Sequence, residues 1–244
     1  MRHYSYLFVT ALSLCWIDSG EGKIIRVAQS GDGTDGMTWE TAFKKVSDGV
    51  NTAVDGDEVW VRGDHYHDHV RIVTASVTLL GGFAGVETDL ERVTRDWMTN
   101  PTVIDAKGIL NPEGKTYSAL FVRKNAIVDG FRYTTGGESN GGSVIGVALE
   151  LSNCSFEENS SAVSGGAFLI RDATASLTNC IIQKNRAASL GGGLFIERST
   201  VTMENCVIED NRAVQLAGGF KAGRLYEFVY RGKSGVVSGL GLAA

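Results

Sequence analysis

The chain reads as an all-β solenoid, a parallel β-helix, and three observations predict it. Asn153-Cys154, Asn179-Cys180 and Asn205-Cys206 recur at a constant step of 26 residues. Asn159, Asn185 and Asn211 keep that step, as do Gly165-Gly166, Gly191-Gly192 and, with alanine first, Ala217-Gly218. Between these fixed points the apolar residues come in short bursts, such as Ser176-Leu177-Thr178, Cys180-Ile181-Ile182 and Leu194-Phe195-Ile196. A repeat of roughly 20–50 residues marks a solenoid whose units cover one another's apolar faces. Bursts this short, rich in branched side chains and bounded by Asn, Gly and Ser, suit strands and not helices. Three strands per turn, each pairing with its equivalent about 4.8 Å away on the next coil, stack equivalent residues into ladders.

Each ladder has a structural meaning. Cys154, Cys180 and Cys206 are expected to point inward as small apolar side chains and to remain free thiols, because their spacing suits a stack and not a staple. Asn153, Asn179 and Asn205, with Asn159, Asn185 and Asn211, suit the bends, where an amide bonds both backbone and the next Asn. The glycine pairs, with Gly166, Gly192 and Gly218 as their constant members, are expected to supply positive φ at tight corners. Followed backwards, the Asn ladder leads to Asp129 and Asp105 at steps of 24, and the glycine pair to Gly141-Gly142. Four to six coils are expected between about Ser76 and Ala222, with no helical period and no leucine-rich spacing.

Residues 1–20 have the form of an export signal. Arg2 and His3 start it, Tyr6 to Ile17 is apolar but short for a membrane span, and Ser19-Gly20 offers small residues for cleavage. Cys15 follows Leu14, too large a residue for a lipoprotein box. The chain is therefore expected to be secreted or displayed at the cell surface or outer membrane, with no transmembrane segment once mature. Lys23 to Ala28 reads as a first strand. Thr38 is placed to N-cap a helix over about residues 39–54, on which Trp39, Ala42, Phe43, Val46, Val50 and Ala53 share a face. Such a helix is expected to cover the first coil's open end, whose strand edge would otherwise invite aggregation.

Gly31-Asp32-Gly33, Thr38-Trp39 with Ala42-Phe43, and Gly56-Asp57-Glu58-Val59-Trp60-Val61 resemble the opening of secreted bacterial β-helix proteins of the pectin-lyase-like class. Leu80-Gly81-Gly82-Phe83 with Gly85, Glu87-Thr88 and Arg92 continues the resemblance. The later units are similar to the repeats of chlamydial-type polymorphic outer membrane proteins, with a GGA-aliphatic motif and an F-x-x-N motif. Phe156-Glu157-Glu158-Asn159 matches the second, while the units ending at Asn185 and Asn211 carry Ile for Phe. The resemblance covers about residues 24–222. It implies a right-handed, single-stranded parallel β-helix with an N-terminal amphipathic cap, and it carries little about activity, since one fold hosts many functions.

The leading functional expectation is a non-catalytic surface or extracellular β-helix that contacts glycans or other surface proteins, with no cofactor. The alternative is a polysaccharide lyase or glycoside hydrolase. A lyase of this class implies acidic residues on neighbouring coils to hold Ca²⁺ and an Arg or Lys base. Asp105 and Asp129 are the nominal carboxylates, and Arg123 or Arg132 the nominal base. His65, His67 and His69 alternate with Asp64 and Asp68, so one strand face is expected to carry three imidazoles toward a transition metal, although in a line too extended for one tetrahedral ion. With a net charge of −5 and no basic stretch, nucleic acid is not an expected partner. After Gly219 the pattern stops, and Arg231 stands where an Asn-Cys rung is due. Residues 223–244 are expected to be an irregular tail left by truncation or a shifted frame, its uncapped end a surface for self-association.

Overall fold

The computed structural model describes residues 22–110, 112–114, 117–134 and 141–215, with the backbone of Phe220–Ala222, Glu227–Arg231 and Leu240–Leu242. The leader over 1–20, Cys15, Gly136-Gly137, Gly218 and much of the tail lie outside these. Parallel strands build a solenoid of three main sheets. Sheet A runs Ile24–Val27, Glu58–Arg62, Val77–Phe83, Ala126–Asp129, Ala148–Ser152, Thr174–Thr178, Thr200–Glu204 and Glu227–Arg231. Sheet B runs from His65–His67 through Thr102–Asp105 and Phe131–Thr134 to Val207–Glu209. Sheet C begins at Val70–Ile72, continues through Leu120–Val122 and Gly142–Ile145, and ends at Leu240–Leu242. A short fourth sheet, Ser160–Ser161, Arg186–Ala187 and Arg212–Ala213, squares the later coils.

Alternation along each strand sends one set of side chains into a narrow common core. On sheet B the inward column is Tyr66, Ile104, Tyr133, Phe156, Ile182 and Ile208, all buried. Tyr133 and Phe156 stack at 4.9 Å, and Phe156 meets Phe168 edge-on at 5.1 Å. Tyr133 is fully buried, and its phenol oxygen has no hydrogen-bond partner among the described residues.

The corners explain the polar ladders. Asn153, Asn179 and Asn205 have φ of 51, 53 and 52°, the left-handed region in which Asn costs least after Gly. Their amides link along the stack: Asn179 Nδ2 donates to Asn153 Oδ1 at 3.1 Å, and Asn153 Nδ2 to Asp129 Oδ1 at 2.9 Å. The other Asn ladder points inward. Asn185 Nδ2 donates to Phe156 O at 2.9 Å and to Asn211 Oδ1 at 2.8 Å, while its own Oδ1 accepts the Asn159 backbone N–H at 2.9 Å. Cys154, Cys180 and Cys206 are buried beside these corners. Burial pushes the Cys154 thiol up to about 12, and a thiol–thiol hydrogen bond with Cys206, with burial, raises that of Cys180.

Four expectations need correction. The glycine pair is not uniformly a positive-φ device: Gly165 and Gly191 have φ of 70 and 60°, but a Cβ on Gly166 would lie 2.2 Å from Gly192 O, so close backbone approach selects the second glycine. The cap helix spans only Val46–Thr52. Thr38 and Thr41 bond each other's backbone, and the segment is used against the first strand: Phe43 N donates to Arg26 O and Ala28 N to Phe43 O. The strand edge is thus covered by extended chain, while the helix plugs the bore through Val46, Gly49 and Val50.

The third correction concerns Asp105, which is not a rung below Asp129. Asp105 pairs with His67 and Thr134 in sheet B, whereas Asp129 pairs with Leu80 and Ser152 in sheet A. One coil is double length, since Val77 pairs with Ala126, 49 residues on. Halved, that step mimics two coils of 24. The register also makes Gly130, with φ of 83°, the corner equivalent to Asn153. Fourth, the tail continues the sheets: Val201 pairs with Phe228 at a step of 27, and Arg231 lies opposite Glu204.

Removing the Tyr133 hydroxyl by Tyr133→Phe is expected to raise unfolding stability by about 1 kcal/mol in urea titration, because an unpaired buried polar atom is lost. Asn185→Ala is expected to cost about 2–4 kcal/mol by the same measurement, since it orphans the Phe156 carbonyl and the Asn159 N–H, while Asn205→Gly stays within about 1 kcal/mol. Cys154 and Cys180 are expected to resist alkylation in the native protein and to react fully in denaturant, read by peptide mass spectrometry.

Candidate functional site

The residues singled out from the sequence do not form one site. Asp105 and Arg132 lie on sheet B, Asp129 on sheet A, and Arg123 follows the sheet C strand Leu120–Val122. Asp129 is held by its own neighbours: Arg95 Nη2 donates to Oδ2 at 2.7 Å and Asn153 to Oδ1. Arg132 Nη2 donates to Glu157 Oε2 at 2.8 Å, across a groove of about 290 Å³ that Trp97, Met98 and Ile181 also line. Neither group is poised as a base or an open cation ligand.

The histidines divide. His65 and His67 flank inward-facing Tyr66 on the outer face of His65–His67, and His65 Nε2 approaches Asp105 Oδ2 at 3.5 Å. His69 lies beyond Asp68 at the turn into sheet C. The chain bends before the third imidazole, so no single strand face carries all three. Among the described residues no three His, Cys, Asp or Glu side chains gather closely enough to hold a metal ion.

The turn that removes His69 from that row places it in another. Its ring stacks on Tyr117 with centroids 4.1 Å apart and planes 10° from parallel. The Arg71 guanidinium lies 5.7 Å from the Tyr117 ring and 5.5 Å from the Phe121 ring, and the Arg123 guanidinium lies 5.7 Å from Phe121. The result is one alternating row, His69, Tyr117, Arg71, Phe121, Arg123, on the outer surface of sheet C. Local rules build it: Val70 and Ile72 point inward, so Arg71 points out; Leu120 and Val122 point inward, so Phe121 points out. Pairing of Arg71 with Phe121 sets them side by side on successive coils. Tyr117 comes from the segment that lengthens the second coil, with Tyr117 N donating to Ile109 O at 3.0 Å.

Both guanidiniums are exposed, and among the described residues neither makes an ion pair. Farther along the column Ser143 follows Phe121 before Leu169 and Phe195, and Arg171 on this sheet is neutralised by Glu197 at 2.7 Å. Among the residues with described side chains, the unpaired guanidiniums of this face thus lie on two adjoining coils. A cation over an aromatic face contributes about 0.5–1 kcal/mol when exposed and more when a ligand excludes water. Such a row offers flat apolar area, which sugar C–H faces require, beside planar donors that grip a carboxylate in two places. Among the described residues no helix is long and apolar enough to cross a membrane.

Comparison with known proteins bears on the fold. The family model described as a right handed beta helix region matches residues 115–228, and the sheet order agrees with that architecture throughout. No curated protein and no solved structure matches the chain significantly.

Burial lowers the pKa of His69 below 6.5, with Arg71 and Lys45 adding to the shift and Asp68 opposing it. The folded state therefore favours the neutral ring, and the unfolded chain takes up the proton first as pH falls. The stability this contributes is present above about 6.5 and is lost as pH falls through the depressed folded value. Between about pH 7 and 5, the melting temperature of the wild type is expected to drop further than that of His69→Phe, measured by thermal denaturation.

Proposed function

We propose that this right-handed parallel β-helix is a non-catalytic extracellular binding module that takes acidic glycans on the outer surface of sheet C. One observation carries the reading: the His69–Tyr117–Arg71–Phe121–Arg123 row combines two exposed guanidiniums, without carboxylate partners among the described residues, with two half-buried aromatic rings. A uronate-type sugar would lay its C–H face on Phe121 or Tyr117 and give its carboxylate to Arg71 and Arg123. The export form of residues 1–20 supports a secreted or surface location. So does the resemblance of the later repeats to outer membrane protein repeats. The fold also supports the general role, because a rigid solenoid presents a flat, repetitive face at fixed spacing.

The scatter of Asp105, Asp129, Arg123 and Arg132 over three sheets weighs against a calcium-dependent lyase built on them. Binding in this reading needs no cofactor.

Calorimetric titration with uronate oligosaccharides tests the proposal. Arg71→Ala and Arg123→Ala are each expected to weaken binding about tenfold, the loss of roughly 1.4 kcal/mol in a charge-assisted contact. Arg132→Ala, already neutralised by Glu157, is expected to bind as the wild type does, and neutral glucan oligosaccharides are expected not to bind. Equal affinity for neutral and acidic glycans would count against the reading, as would Arg71→Ala without effect. Calcium-dependent release of unsaturated sugar would replace it with the lyase.

A further inference from the structure

A hollow beside the His69 end of the sheet C row holds two further cations. Gln29, Lys44, Lys45, Tyr66, His67 and Asp68 line it, and its volume is about 300 Å³. Lys44, Lys45 and His67 are exposed, and among the described residues neither ammonium makes an ion pair. The one carboxylate in the lining, that of Asp68, is buried and engaged with backbone. Its Oδ2 accepts the Ser47 N–H and its Oδ1 the His69 N–H, both at 2.8 Å. Two positive charges on adjoining residues thus face solvent without a carboxylate in contact, and a cleft of one sign draws in the opposite charge.

The backbone fixes both lysines from either side. Phe43, just before them, is bonded to the first strand, Ala28 N donating to Phe43 O at 2.9 Å and Phe43 N to Arg26 O at 3.0 Å. Just after them the helix Val46–Thr52 packs on the strand Val70–Ile72, and Ser47 N ties the start of that helix to Asp68. Gln29 Nε2 donates to His65 O, which holds the hollow to the first strand of sheet B. Asp68 is the wall shared with the row: it lines the hollow, and the next residue is His69, whose ring stacks on Tyr117. Burial leads the lowering of the His69 pKa and Asp68 opposes it, while Arg71 and Lys45 both add to it. The Lys45 ammonium is thus within electrostatic reach of the row's first ring.

We propose that the ligand of sheet C is a chain with acidic groups on successive sugars, and that its end passes His69 and sets one anionic group among Lys44, Lys45 and His67. The inference rests on the acidic-glycan reading of the row and adds a length requirement to it. The stacked His69 and Tyr117 rings stand between Arg71 and the hollow, so a single sugar seated on Phe121 leaves the lysines unoccupied. The two ends also differ in chemistry. A guanidinium grips a carboxylate in two places and fixes its orientation, whereas an ammonium is a mobile point charge. The arginines therefore set the register of the chain, and the lysines add attraction for its next acidic groups. Salt weakens the exposed lysine contacts readily.

Titration of the intact chain with a uronate disaccharide and a uronate octasaccharide provides the test. Lys45→Ala is expected to weaken octasaccharide binding about threefold, and Lys44→Ala with Lys45→Ala together about tenfold, with the disaccharide unaffected. Both positions are exposed, so the melting temperature is expected to stay unchanged. Arg71→Ala is expected to weaken both ligands. Lys23→Ala, which removes a charge at the start of sheet A, is expected to weaken neither. Octasaccharide binding that survives the double lysine variant, while Arg71→Ala still weakens both ligands, overturns this proposal and leaves the sheet C reading standing. Equal weakening of disaccharide and octasaccharide by the lysine variants overturns it too, as does an equal loss in Lys23→Ala, which would show attraction by overall charge. If neither ligand binds the wild type, the sheet C reading falls and this inference with it.

Discussion

Everything in this molecule depends on keeping successive coils in register, strand over strand, at about 4.8 Å. Each coil must turn corners that an ordinary L-residue resists. The chain meets this with left-handed residues stacked at the same place on each coil: Asn153, Asn179 and Asn205 at one corner, Glu158, Lys184 and Asp210 at the next, Gly146, Asp172 and Arg198 at a third. A single insertion or deletion inside a strand would move every later corner and turn core side chains outward. Extra length is therefore tolerated only where the chain can leave the stack and return to it.

That constraint explains where the chain leaves the regular stack. The 49-residue turn from Val77 to Ala126 carries two excursions. The first is the insertion over residues 84–101, between Val77–Phe83 and Thr102–Asp105, and the second delivers Tyr117 to the row on sheet C. The regular coils that follow have no freedom of this kind, and their outward charges pair across one rung, as Arg171 with Glu197 and Arg198 with Asp172. Regularity builds the rod, and departure from it builds the recognition surfaces.

The same division decides what could be read in the sequence. Cys154, Cys180, Cys206 and the Asn ladders were legible because identical neighbours stack favourably, so the repeat survives in the letters. The false rung at Asp105 arose where periodicity was taken across an excursion whose length is near twice a coil. The helix was drawn too long because Trp39, Ala42 and Phe43 fit a helical face, although their backbone is needed to cover the first strand's edge. The row of His69, Tyr117, Arg71, Phe121 and Arg123 left only a faint trace. Strict alternation in Val70-Arg71-Ile72 and Leu120-Phe121-Val122 marks Arg71 and Phe121 as outward. Nothing in the letters pairs residues 50 apart until the double-length coil is recognised.

Sheet C and the insertion have opposite electrostatic logic. On sheet C, two guanidiniums lie over aromatic faces with no counter-charge among the described residues, an arrangement that costs self-repulsion unless an anion arrives. In the insertion, the charges stay at the surface but are cross-linked by hydrogen bonds and ion pairs, as Arg92 with Glu58 and Arg95 with Asp129. One face thus needs a partner of opposite sign, and the other is built to need none.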